Sequence, residues 1–482
     1  MTASHGPHQH DLVVVSHRLP VAVDEAGPRW ADRIGDGTAA LGPAVAARGG
    51  VWLGWAARAN VSTASFAHAG LRLHPVALSD RDVMDYERGY CAGTLAPLYH
   101  GRVETPEFRD QWRLAYQRVN QRFADAAATL AAPGGVVWVH DYHLQAVPAL
   151  LRRRRPDLRI GMSLHAPFPP AELFVQLPTR AQTLYGLLGA DLISVPHPRA
   201  AATVLELAAD LLHLPVRGGT VTVDGRRVMV GAFPVSIDAA AVEQLAAADA
   251  IRARAAGIRA NLHGARTVLL AVNRLDPAEG TEQRLDAYAT LLGTGRLDPG
   301  RTVLVEVAAP DGPDTPRRER TRARIDRRVA QINGEHARIG HPVIHYLRRS
   351  PPLPERVALY LAADVLLATP LSAGTPTTAK EFLVTRTDDT ARLVLSEFTA
   401  EQLPGVATVN PNDPDALLDA IAAAAAAAET GVRSADLNAA RQRLQGQDVD
   451  SWVEGLLHTL AAPPPLTDAG GDPRYVAIGT PP

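Results

Sequence analysis

The sequence predicts an α/β protein of two doubly wound domains, each a parallel sheet covered by helices. Three observations carry this. Short apolar runs ended by polar residues alternate with segments of helical apolar spacing. The alternation occurs as two separate series, and strands alternating with helices of about 10 to 15 residues imply parallel sheets. Finally, 482 residues with 46% hydrophobic and 21% charged content exceed what one core of ordinary size spans.

The first series reads as a strand over Asp11 to Ser16, a turn, a helix near Ala39 to Ala47, a strand over Val51 to Gly54 and a long helical region around Glu107 to Leu130. Its most informative stretch runs from Trp138 to Pro170. Val136 to Val139 is an apolar run, Leu144 to Leu151 has helical spacing, and Arg159 to Leu164 is a second apolar run. That is a β-α-β unit, whose strand ends are where an open parallel sheet binds its ligand.

The second series begins with strand Thr267 to Val272 and helix Thr281 to Leu292, followed by strands Val303 to Val307 and Val343 to Tyr346. Helix Glu355 to Ala362, strand Val365 to Ala368, a helix near Thr378 to Thr385, Leu393 to Ser396 and Ala407 to Val409 complete it. The boundary is expected between Pro234 and Ala250, giving domains of residues 11 to 238 and 239 to 450. Residues 1 to 10 and 463 to 482, rich in Pro, Gly and polar groups, read as disordered tails.

A net charge of -2 supplies no basic field for nucleic acid or anionic membrane, and the arginine runs Arg152 to Arg155 and Arg317 to Arg328 read as solvated helix faces. One cysteine, Cys91, excludes an internal disulfide framework, and the first residues lack the apolar core of a signal peptide. No apolar run reaches the roughly 18 residues that span a bilayer. A cytoplasmic protein is expected. A single lysine, Lys380, stands among 49 lysines and arginines, so an exchange of Lys for Arg carries little meaning here and a change of sign carries more.

His140, Asp141, His143 and His165 fall at the strand ends of the β-α-β unit. A metal site would use such histidines, but no carboxylate or cysteine partners stand at ligand spacing. Hydrogen bonding to sugar hydroxyls by convergent side chains is one reading, and Asp141 capping the helix near His143 is the other. In the second series Arg274 ends the first strand, where a guanidinium suits a phosphate oxygen. Gly374 to Glu381 is a tight turn and helix start. Backbone N-H groups of Thr377 and Thr378 are expected to hold a phosphate there, and Glu381 to accept ribose hydroxyls.

Val15-Ser-His-Arg-Leu-Pro20, Trp138-Val-His-Asp-Tyr-His-Leu-Gln145, Leu164-His-Ala-Pro-Phe-Pro169, Asn273-Arg-Leu-Asp276, Ile332-Asn-Gly-Glu335 and Ala379-Lys-Glu381 resemble the trehalose-6-phosphate synthase family, with similarity from about residue 11 to 460. The resemblance implies a retaining glycosyltransferase of the GT-B fold, two Rossmann-like domains with the active site in the cleft between them. Residues 451 to 462 would be a C-terminal helix crossing back to the first domain. It implies that Arg18, Asp141, His165, Arg274 and Glu381 contact substrates; together with the turn and helix start, the expected site has catalytic His165, Asp141 and Arg274, donor-binding Arg274, Gly374, Thr377, Thr378 and Glu381, and acceptor-binding Arg18, Asp141, Glu87 and Ala96. The partners implied are a nucleotide sugar and a small polar acceptor, with no metal or cofactor, in a homo-oligomer.

Departures from the family pattern shape the functional expectation. The family's lysine five residues after the diphosphate-binding arginine is Glu279 here. A charge pair at 4 Å is worth about 4 kcal/mol at an effective dielectric near 20, so this exchange sets repulsion against a diphosphate unless a divalent cation bridges through Glu279. Ala373 replaces an aspartate before the donor-loop glycine, and Pro376 removes an N-H. On the acceptor side Gly35-Asp36-Gly37 replaces Gly-Gly-Leu, Glu87 and Ala96 replace a Tyr and a Trp, and the matching Arg falls near Pro313, with Arg317 and Arg318 close in sequence.

These departures favour a divergent glycosyltransferase, or a pseudoglycosyltransferase of the validamycin type. Such an enzyme would couple an activated sugar or cyclitol to an acceptor other than glucose 6-phosphate in specialised metabolism. The alternatives are a genuine trehalose-6-phosphate synthase using UDP- or GDP-glucose, and a non-catalytic sugar- or protein-binding relative.

Overall fold

The computed structural model describes residues 9–24, 27–30, 34, 40–60, 64–101, 105–262, 264–310, 315–372, 374–399, 401, 403–431 and 437–462. The expected tails, Gly35 to Gly37, Pro313 and Ala373 lie outside the described residues, except that strand His10–Arg18 begins within the first tail. The described residues within Met1–Ala31, Thr38–Val235 and Asp450–Pro482 form one compact unit, and those within Asp32–Gly37 and Ser236–Val449 form the second.

The first unit is built on a ten-stranded sheet in the order Val216–Arg217, Thr220–Val223, Arg226–Ala232, Leu192–Val195, Arg159–Ser163, Ala131–His140, His10–Arg18, Val51–Trp55, Leu71–Pro75, Phe66–His68. The strands from Arg226–Ala232 to Leu71–Pro75 run parallel, with antiparallel additions at both edges. Counted in chain order, the parallel strands lie as 7-6-5-4-1-2-3. The winding therefore reverses between His10–Arg18 and Ala131–His140, and such a reversal opens a crevice at the strands' carboxyl ends. Val13, Val14 and Val15 are fully buried, as expected of a strand covered on both faces.

Helix Asp110–Leu130 packs Tyr116, Val119, Phe123 and Ala127 inward along one stripe. Between Leu71–Pro75 and this helix the sequence pattern indicated no element, yet a 13-residue π-helix, Val83–Leu95, occupies the region. Its i to i+5 hydrogen bonds spread the buried residues Tyr86, Glu87, Tyr90, Cys91 and Leu95 away from a 3.6-residue period. Helix Val449–Ala461 closes this unit: Trp452 Nε1 donates to the Phe233 carbonyl at 3.2 Å, and the absence of a side chain at Gly161 makes room for Leu460.

The second unit has a six-stranded parallel sheet in the order Ile344–Leu347, Thr302–Ala309, Thr267–Arg274, Val365–Ala368, Arg392–Ser396, Thr408–Val409. In chain order this is 3-2-1-4-5-6, reversing between Thr267–Arg274 and Val365–Ala368. Alternate residues feed the two helical layers. Val268, Leu270 and Val272 pack with Val357, Tyr360 and Phe382, while Leu269 and Ala271 pack with Leu285, Tyr288 and Ile421. Among the described residues no helix is long and apolar enough to cross a membrane.

Candidate functional site

Each unit carries its own cluster of polar groups at its reversal point. In the first unit Ala131–His140 ends one residue before Asp141, whose φ of 68° and ψ of 165° lie in a region that side-chain-bearing residues avoid. Neighbours hold it there. Its backbone N-H donates to the Ser163 carbonyl at 2.7 Å, and its Oδ1 accepts from the N-H groups of Tyr142 at 3.3 Å, His165 at 3.3 Å and Ala166 at 3.4 Å. The expected helix cap at Asp141 is thus a cap on the 3-10 turn Tyr142–Leu144, with the helix proper at Val147–Arg154.

The turn is anchored from behind. Tyr116 Oη donates to the Tyr142 carbonyl at 2.8 Å, Asn120 Nδ2 to the His143 carbonyl at 3.1 Å and Tyr86 Oη to the same carbonyl at 3.2 Å. The three histidines weighed as metal ligands do not converge. His140 Nδ1 meets His165 Nε2 at 2.9 Å, whereas the His143 ring stacks on His17 with centroids 4.4 Å apart. His140 is fully buried beside Trp52 and Trp138. Burial, then the neighbouring His165, pushes its imidazole well below the usual range, so it is neutral at pH 7.

Arg18 leaves the neighbouring strand end with its guanidinium 5.6 Å from the Trp55 ring centroid and bonded to the carboxylate of Glu87. Glu87 comes from the π-helix and its side chain is only 4% exposed, so it faces an arginine and not bulk water. Ala96, at the start of the short helix Ala96–Tyr99, is buried and offers a methyl group alone.

In the second unit Arg274 Nε donates to Glu279 Oε1 at 2.9 Å. From the sequence, Glu279 is expected to repel a diphosphate here unless it turns away or a divalent cation bridges it. The structure adds its partner: Asp276 caps the 3-10 turn Pro277–Glu279 and folds Glu279 back onto the arginine five residues earlier. Gly280 follows at φ 68°, where an added Cβ would lie 2.1 Å from the Thr369 carbonyl oxygen, so glycine is required. Leu371 N donates to the Ala278 carbonyl at 2.7 Å, and Arg284 Nη1 reaches Thr369 Oγ1 at 2.8 Å, stitching the loops that follow the first and fourth strands.

Two donor-side expectations change. The Thr377 N-H donates to the Thr375 carbonyl at 2.9 Å, with Pro376 between them at φ -80° and ψ 69°, an inverse γ-turn that turns this group away from a phosphate role. Thr378 stands next in helix Thr377–Thr385, with Gly374 in the turn ahead of it. Glu381 is not an idle acceptor: Arg356 Nη2 and Nε donate to its two oxygens at 2.9 and 3.1 Å, and Tyr360 Oη donates at 2.8 Å. Oε2 takes two of these bonds and Oε1 one, so Oε1 retains a lone pair for a ligand hydroxyl. Arg356 and Tyr360 were missed because nothing local marks a partner 25 or 21 residues away.

Residues 10–462 match the family model of glycosyltransferase family 20. The chain belongs to this family. It is 42% identical over 481 residues to the trehalose-6-phosphate synthase of Mycolicibacterium smegmatis, covering 95% of this chain and 94% of the relative. It is 40% identical over 477 residues to that of Mycobacterium tuberculosis, covering 94% and 95%. Among solved structures, the α,α-trehalose-phosphate synthase (UDP-forming) of Burkholderia xenovorans in complex with glucose-6-phosphate superposes with a TM-score of 0.82 at 25% identity, covering 94% of this chain and 100% of that one. An E. coli trehalose-6-phosphate structure bound with UDP-2-fluoro glucose superposes at 0.83 with 26% identity, covering 93% and 98%.

The family 20 member described here is therefore a glycosyltransferase of the GT-B fold, and the resemblance read from its motifs is upheld. The expectation of a divergent enzyme whose acceptor is not glucose 6-phosphate is overturned by these relatives, which at 40% to 42% identity over nearly the full length are trehalose-6-phosphate synthases. That expectation set Glu279 against a diphosphate and counted Glu87 as a lost acceptor-phosphate contact, and in the fold both carboxylates are bonded to arginines.

Proposed function

We propose that this chain transfers a glucosyl group from UDP- or GDP-glucose to the anomeric hydroxyl of glucose 6-phosphate, forming trehalose 6-phosphate and the free nucleoside diphosphate with retention at the donor carbon. The bond from the donor C1 to the diphosphate oxygen breaks and a bond from C1 to the acceptor oxygen forms. The acceptor's proton passes to the departing phosphate oxygen. The observation that carries this reading is the near-full-length identity to trehalose-6-phosphate synthases.

The residues divide the work in a physically sensible way. Arg274 at the reversal point of the second unit supplies positive charge where the diphosphate gains negative charge in the transition state, which is where preorganised charge lowers the barrier most. Glu381, oriented by Arg356 and Tyr360, accepts a ribose hydroxyl through the remaining lone pair of Oε1. In the first unit Asp141 and His165 take sugar hydroxyls, and Arg18 takes the acceptor phosphate in exchange for Glu87. With arginine as the leaving-group cation the reaction needs no resident metal. Nucleotide sugars and sugar phosphates are charged metabolites retained inside cells, in keeping with the cytoplasmic setting expected from the sequence.

The test is direct. The purified chain is incubated with UDP-, GDP- or ADP-glucose and glucose 6-phosphate, with and without magnesium, and nucleoside diphosphate and trehalose 6-phosphate are quantified. Equal amounts of both products from at least one donor are expected. Donor turnover that requires an acceptor lacking phosphate, or no product from any pair, overturns the proposal.

A further inference from the structure

We infer that Glu279 is a built-in competitor for the donor's diphosphate: in the empty enzyme its carboxylate occupies the Arg274 guanidinium, and a donor binds by displacing it, so that this one side chain sets donor affinity. The inference rests on the proposed reading, since it names what tunes the donor site of that reaction.

Position comes first. The strand order 3-2-1-4-5-6 places the crevice of this unit between the ends of Thr267–Arg274 and Val365–Ala368, and Arg274 is the last residue of the first of these. Glu279 reaches the same guanidinium from the loop that follows, with Nε and Oε1 2.9 Å apart and side-chain exposures of 28% for Arg274 and 14% for Glu279. The pair is neither a solvated surface bridge nor sealed in the core. An anion arriving at the strand ends meets a guanidinium that already has a carboxylate on it.

The loop leaves only the side chain able to yield. The Glu279 backbone is held by its N-H to the Asp276 carbonyl at 3.0 Å, by its carbonyl accepting from Arg284 Nη1 at 3.3 Å, and by Gly280 pressed against Thr369. A segment fixed at these points does not swing away as a unit, so any exchange of partners at Arg274 is a rotation of the Glu279 side chain or its neutralisation.

Charge sets the sign. Among the described residues, the charged groups that act on Glu279 are Arg274, Asp276 and Arg284. Arg284 lies against Glu306, both fully buried and 2.7 Å apart, and Arg318 lies 4.0 Å from Asp276, so both cations stand beside carboxylates of their own. Among the described residues a diphosphate therefore meets cations that are each matched by a carboxylate, and removing the charge at position 279 tips the cluster toward the anion. Burial already raises the Glu279 carboxyl above its ordinary value, against the pull of Arg274. Protonation on donor binding is accordingly one route of displacement, and it makes binding take up a proton.

The experiment is calorimetric titration of UDP and GDP into the full-length wild-type chain, Glu279→Gln and Glu279→Lys at pH 6 and 8, alongside steady-state KM for both substrates. Glu279→Gln keeps the shape and removes the charge. It is expected to tighten nucleoside diphosphate binding by roughly tenfold or more and to lower the donor KM, with the acceptor KM unmoved. Glu279→Lys is expected to go further, and because the terminal phosphate of UDP and GDP titrates in the same range the pH effect is read as a ratio: the advantage of Glu279→Gln over the wild type is expected to be smaller at pH 6 than at pH 8. In Arg274→Ala the same Gln substitution is expected to gain nothing.

Unchanged or weaker binding by folded Glu279→Gln overturns the inference, the weaker case marking Glu279 as a support that orients Arg274. Because nucleoside diphosphate binding is read without turnover, an enzyme that binds the nucleotide but makes no trehalose 6-phosphate fails the proposed function and leaves this test intact.

Discussion

His140 and His165 share a hydrogen bond, Nδ1 to Nε2 at 2.9 Å, with their rings parallel to within 10°. The first is fully buried and its Nε2 has no partner among the described residues, while the second is partly exposed at the next strand end. The buried ring fixes the orientation of the exposed one through a single shared proton.

Replacing His140 by Phe keeps the aromatic packing against Trp52 and Trp138 and removes that proton partner. A net hydrogen bond is worth about 1 kcal/mol, and a little over that is tenfold in rate, so kcat is expected to fall roughly tenfold with a small change in Tm. Steady-state kinetics beside thermal unfolding check this. Unchanged kcat would reduce His140 to a packing residue.

The same burial links stability to pH. Its folded-state pKa lies below the unfolded value of about 6.5, so the unfolded chain binds the proton more readily and the stabilisation is present above that pH. As pH falls below about 6.5 toward the depressed folded value the stabilisation is lost, with His74 and His197 contributing in the same sense because burial lowers both. Thermal melts from pH 8 to pH 5 are expected to show a declining Tm, and His140→Phe to show a shallower decline.

Asp141 tests whether backbone strain is maintained for the sake of a carboxylate. A residue in its φ,ψ region costs about 1 to 3 kcal/mol, which glycine avoids. Asp141→Gly gives up the hydrogen bonds of Oδ1 and relieves that cost, so its urea midpoint is expected to match the wild type or exceed it while turnover is lost. A clearly destabilised glycine variant would mean that the carboxylate serves the fold more than the substrate.

Glu381, Arg356 and Tyr360 separate in the opposite way. Glu381→Ala strands a buried guanidinium and is expected to cost roughly 3 to 5 kcal/mol, whereas Tyr360→Phe removes one hydrogen bond and costs about 1 kcal/mol. Denaturant unfolding distinguishes the two, and only Tyr360→Phe is suited to measuring the effect of Glu381 orientation on donor KM.

Much of the fold was legible because parallel strands buried on both faces must be apolar along their length and must be followed by helices long enough to cross over. Val136 to Val139 and Thr267 to Val272 show this in a window of a few residues. The π-helix Val83–Leu95 escaped because its spacing matches no common period, and with it went the origin of Glu87. The helix expected from Leu144 starts at Val147, because Asp141 turns the chain through a 3-10 segment first.

The sequence by itself determined the two α/β series, the placing of Asp141, His165 and Arg274 at strand ends, and the family, since each of these is written in local pattern or in ordered motif. Tertiary structure alone decided what the charges face. Arg18 meets Glu87 across 69 positions, Glu381 meets Arg356 across 25, and Glu279 bends back on Arg274 only because Asp276 caps the intervening turn. A carboxylate near a phosphate-binding strand end reads as repulsion in one dimension. Its electrostatic effect depends on the distance to the nearest cation, and that distance exists only once the chain has folded.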